Sequence, residues 1–135
     1  MLVVGEASGD LHGAHLVRSL RRRAPALEVM AVAGEGLKRE GVEVLLDVGQ
    51  LTGMGFTELA GRVGTLWRAN RRSQQVLREE RPDLLVLIDF PEFNLRLARL
   101  AKKLRIPVLY YISPQVWAWR QWRIKKIARC VDHMA

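Results

Sequence analysis

Two acidic side chains stand in a turn where a phosphate loop would carry glycine and lysine. The stretch GEASGD, residues 5–10, follows the apolar run MLVV and holds Glu6 and Asp10, with no Lys or Arg before Arg18. It fits neither G-x-G-x-x-G nor a P-loop ending in Gly-Lys-Ser/Thr, and its carboxylates would repel a pyrophosphate. A third acid, Asp89, ends the apolar run DLLVLID and enters the turn DFPEFN, residues 89–94. An Asp there serves as a turn former. Flanked by Ile88, Phe90 and Pro91, it also has surroundings that can raise a carboxyl pKa, which suits a general base. Together, Glu6 and Asp89 can divide the work: one takes a proton while the other orients a sugar hydroxyl or the base. Ser8 and Asp10 have a structural alternative, since either can accept N–H bonds at the start of a following helix.

Other constellations point to chemistry less directly. Ser8 and His12 are four apart, but no G-x-S-x-G elbow supports a serine nucleophile. His12, His15 and His133 lack metal-ligand spacing, and neither a metal nor another cofactor is expected. The segment VWAWRQWRIKKIAR, residues 116–129, interleaves Trp117, Trp119 and Trp122 with basic residues and has no acid. Three readings stay open: a single-stranded nucleic-acid surface, a helix with Trp and Ile on the core side, or a phosphate contact from Arg120 or Arg123. Residues 51–72 place Met54, Phe56, Leu66 and Trp67 among Arg62, Arg68, Arg71 and Arg72. That pattern fits either a surface dipping into anionic lipid or a crossover helix packed on a sheet.

The elements that must position these residues alternate along the chain. Strands are expected at 1–4, 28–34, 42–47, 83–89 and 106–113, and VDHMA reads as the first residues of another. Helical patterns fill 11–23, a short turn at 35–40, most of 50–81, then 92–105 and 115–130, with Gly53, Gly55, Gly61 and Gly64 as expected breaks. Repeated β-α units imply an α/β class with a doubly wound parallel sheet and helices on both faces. In the order 3-2-1-4-5, ligands bind between strands one and four, beyond their carboxyl ends. GEASGD and DFPEFN leave those two strands, and SPQVWAWR (113–120) leaves the fifth.

The totals agree with one domain. The chain has 135 residues, 49% hydrophobic and 27% charged, enough for a real core. A net charge of +8 favours an anionic partner: nucleic acid, an anionic membrane or a phosphorylated substrate. Cys130 is the single cysteine, so no internal disulfide forms, and a reducing compartment fits. No apolar run approaches the ~20 residues of a membrane span. The abrupt start and the strand-like ending suggest a piece of something longer.

GEASGD, IDFPEFN (88–94) and YYISPQVWAWRQWRIKKIAR (110–129), in this order, resemble the hallmarks of the lipid-A-disaccharide synthase family. VAGEGLKREG (32–41) and LTGMGFTEL (51–59) add to the resemblance, which covers essentially the whole chain. It implies the N-terminal, acceptor-side, Rossmann-like half of a two-domain GT-B glycosyltransferase. It further implies a UDP-diacylglucosamine donor bound mainly by a C-terminal domain, and a lipid-linked sugar phosphate, diacylglucosamine 1-phosphate, as acceptor. The reaction would be inverting and metal-independent. The family's base matches Asp89 and its motif glutamate matches Glu6, with Ser8, Gly9 and Asp10 beside it as substrate contacts. Asn94 and Arg120 are weaker carry-overs as acceptor contacts. The resemblance also implies a cytoplasmic protein held peripherally on the inner membrane, with Met54, Phe56, Leu66 and Trp67 as contacts and no nucleic acid. Homo-oligomer formation stays open.

Overall fold

The computed structural model describes residues 1–48, 59–112 and 127–135. Among the described residues, six strands form one sheet: β1 (Leu2–Val4), β2 (Met30–Ala33), β3 (Glu43–Asp47), β4 (Leu85–Ile88), β5 (Val108–Tyr110) and β6 (His133–Met134). Their order is β3-β2-β1-β4-β5-β6, and every pairing is parallel. The order expected from the sequence is therefore present, with β6 added beyond β5. β1 and β4 are buried throughout, as strands covered on both faces must be.

Among the described residues, the helices α1 (Ala7–Arg23), α2 (Glu35–Arg39), α3 (Leu59–Glu79) and α4 (Pro91–Lys103) lie between the first five strands. α1 packs with α2, and α3 with α4. Right-handed crossovers put the first pair on one face of the sheet and the second on the other, because the strand order reverses after β3. The amphipathic stripe of α4 buries Phe93, Leu97, Ala98 and Ala101, and Pro91 opens that helix where its missing N–H costs nothing. Arg21, Arg22 and Arg23 close α1, a placement the helix dipole favours.

Three local expectations change. α1 starts at Ala7, not residue 11, so Ser8, Gly9 and Asp10 lie inside its first turn. Neither Ser8 nor Asp10 caps it: Glu6 is the N-cap residue, extended, with no side-chain cap bond. Asp10 reaches across to α2 instead. α3 runs unbroken through Gly61 and Gly64, since a long helix tolerates isolated glycines at a cost of roughly 1 kcal/mol each. Gly53, Gly55 and most of the helix expected at 115–130 lie outside the described residues, although 127–130 are helical.

One side chain adds to the backbone pairing of β6 with β5. Asp132 accepts the Val108 N–H at 3.0 Å and pairs with Lys102 of α4.

Candidate functional site

Val4 of β1 is in register with Ile88 of β4, so GEASGD and DFPEFN leave the sheet side by side at the switch point. The first turn of α1 and the β4–α4 turn meet there. That turn is unusual. Asp89 (φ 52°) and Phe90 (φ 43°) are both left-handed, a conformation that costs a non-glycine residue of order 1 kcal/mol or more.

The turn is held from several directions. Asn94 is fully buried beneath it and donates both to Ile88 O at 3.1 Å and to Asp89 O at 2.8 Å. The Tyr110 hydroxyl, arriving from the end of β5, donates to the same Asp89 carbonyl at 2.5 Å. The Asn94 N–H closes the first turn of α4 on Phe90 O at 3.0 Å. Phe90 stacks on Phe93 with ring centroids 5.2 Å apart. Its other side covers Gly5, where a Cβ would lie 2.2 Å from the Phe90 Cβ.

These contacts aim the half-buried Asp89 side chain back over α1. A Cβ on Gly9 would come within 2.9 Å of Asp89 Oδ2 and 3.1 Å of Ile88 Cγ2. The carboxylate thus rests over the first turn of α1. Glu6 and Ser8 are exposed on the same turn. Ser8 and Gly9 lie in the first turn of α1 after the N-cap Glu6, and the Asp89 carboxylate rests beside Gly9.

Asp10 and Asn94 face inward. Asp10 is 6% exposed and accepts N–H bonds from Gly34 (2.8 Å), Gly36 (2.6 Å) and Leu37 (3.3 Å). It fills the anion position at the start of α2, tying β1–α1 to β2–α2. Asn94 turns both of its bonded amide contacts to the main chain of the turn. Arg120, Met54 and Phe56 lie outside the described residues. Reading the sequence alone missed Tyr110. Its only signal was a polar hydroxyl at the end of an apolar strand predicted to neighbour β4.

Between α3 and α4, beside Phe90, lies a cleft of about 300 Å³ lined by Leu66, Trp67, Asn70, Phe90, Phe93 and Arg96, among others. Trp67 is 52% exposed, and Arg71 sits over its ring, 4.8 Å from the centroid. Among the described residues, no helix is long and apolar enough to cross a membrane, and no group of three His, Cys, Asp or Glu could hold a metal ion.

A doubly wound parallel sheet with carboxylates, rather than a glycine phosphate loop, at its switch point defines a Rossmann-like α/β protein without the G-x-G-x-x-G fingerprint after β1. The chain belongs to the lipid-A-disaccharide synthetase family, whose family model matches residues 1–135. It is 51% identical over 136 residues to lipid-A-disaccharide synthase of Syntrophotalea carbinolica, covering 100% of this chain and 35% of that protein. The enzymes of the same name from Geobacter sulfurreducens (49% over 135 residues) and Nitrosococcus oceani (48% over 134) match 100% and 99% of this chain and 35% of their own length. The chain thus spans about a third of the length of these curated relatives.

Proposed function

We propose that this chain is the acceptor-side domain of a glycosyltransferase that makes the lipid A disaccharide. The donor is UDP-2,3-diacylglucosamine, the acceptor is 2,3-diacylglucosamine 1-phosphate, and the products are lipid A disaccharide 1-phosphate and UDP. Asp89 is the general base. It takes the proton of the acceptor hydroxyl as that oxygen bonds to the donor's anomeric carbon, and the bond to UDP breaks with its electron pair leaving on UDP. Glu6 and Ser8, exposed on the first turn of α1, orient the sugar hydroxyls. The donor binds mainly to the part of the relatives that this chain does not span, and turnover requires that part.

The observation that carries the reading is the half-buried Asp89 carboxylate held over Gly9 at the switch-point mouth. A general base must be fixed within hydrogen-bond reach of the proton it removes, and this carboxylate is fixed from its backbone outward. Exposed Trp67 with Arg71 and the apolar cleft beside Phe90 support a peripheral site on an anionic, cytoplasm-facing membrane for a lipid-linked acceptor.

The test is Asp89→Asn in a family-length synthase bearing this sequence as its N-terminal third. Transfer should fall by at least about 100-fold, the usual scale for a lost general base, with the fold intact. Transfer at the unsubstituted rate would remove Asp89 as the base.

A further inference from the structure

We infer that Tyr110 is a positioning residue for the transfer reaction, acting with Asn94 through the main-chain carbonyl of Asp89; this rests on the reading of Asp89 as base. Two donors from different elements converge on that one oxygen, the Tyr110 hydroxyl at 2.5 Å and Asn94 Nδ2 at 2.8 Å. A carbonyl has two lone pairs, and both donors are side chains the fold buries completely. The carbonyl they grip belongs to the first of two successive left-handed residues. Left to itself, a non-glycine residue there relaxes toward the right-handed or extended regions, and such strain persists only where surroundings over-determine it. Relaxation of φ at Asp89 turns its Cβ and its carbonyl together about the N–Cα bond, so it would break both bonds as it swung the carboxylate off Gly9. Asn94 lies in α4 and is joined to the turn by the Phe90 O bond as well. Tyr110 is the independent anchor, because β5 is registered to β4 at Leu87–Tyr110 and moves with the sheet. A phenylalanine fills nearly the same space, so Tyr110→Phe removes the hydroxyl's bond to the turn with little change in packing.

The experiment compares Tyr110→Phe, Asp89→Asn and the double variant in a family-length synthase, reading kcat, KM for the acceptor and thermal midpoint. Tyr110→Phe should lower kcat about 10-fold, as small misplacements of a catalytic group do, with KM changed less than about twofold. In the Asp89→Asn background the same change should have almost no further effect, because the group it positions is gone. An equal loss in both backgrounds would show that the hydroxyl acts structurally and would overturn the inference. So would a wild-type kcat in Tyr110→Phe while Asp89→Asn is inactive, which leaves the base reading standing. Full activity of Asp89→Asn would instead remove the base, and this inference with it.

Discussion

Asp89 Oδ2 lies 2.9 Å from the point where the Cβ of any side chain at position 9 would stand, so Gly9 leaves the carboxylate its place. Gly9→Ala should therefore separate stability from transfer. The first turn of α1 gains at most about 1 kcal/mol from the exchange, offset by crowding on Ile88 Cγ2. The thermal midpoint should change little, while transfer by the family-length synthase falls about 10- to 100-fold. A variant of unaltered rate would mean that the Asp89 side chain moves aside without consequence.

Asp10→Ala tests the inward role of the second acid in GEASGD. Its removal leaves the N–H groups of Gly34, Gly36 and Leu37 without their acceptor. The expected loss is about 2–4 kcal/mol of unfolding free energy, read as a lower urea midpoint. Asp10→Asn keeps one accepting oxygen and should lose about half as much. A neutral Asp10→Ala would show that α2 does not depend on this cap.

Acid stability should carry the mark of two surface pairs. The Arg18 hydrogen bond holds Glu40 below its ordinary 4.5, and the bonds from Lys102 and then the Val108 N–H hold Asp132 below 3.8. Both folded values are depressed, so their contributions are complete above about pH 5 and fade as pH falls through the folded values. Exposure keeps them small. Asp132→Asn should flatten the decline between about pH 5 and 3, measured by urea unfolding at a series of pH values. A steeper decline in the variant would reverse the sign argued here.

Leu66→Ser with Trp67→Ser should weaken binding to anionic vesicles several-fold in a sedimentation assay. The difference should be largest at low salt, where the neighbouring Arg side chains are least screened. Unchanged sedimentation would assign this face to something other than lipid.

Much of the frame was legible before any coordinates. DLLVLID is apolar throughout its middle and suits a parallel strand covered on both faces, and the β-α alternation then put GEASGD and DFPEFN at the same end of the sheet. Asp10 was misread because its partners are 24 to 27 residues away, on a helix whose approach depends on β1–β2 pairing. Gly9 suggested a turn, yet its reason is the closeness of Ile88 and Asp89, which sequence spacing does not encode. Tyr110 was invisible for a related reason: its hydroxyl matters only once Asp89 is left-handed, and nothing in DFPEFN announces that φ.

The carboxylate seated at the start of α2 has one more consequence. In a dinucleotide-binding relative of this sheet, neighbouring backbone amides are open to visiting phosphates. Here the chain supplies its own permanent tenant, and an incoming anion must evict it and break three bonds. The start of α2, next to β2, thus has its anion position occupied from within the chain.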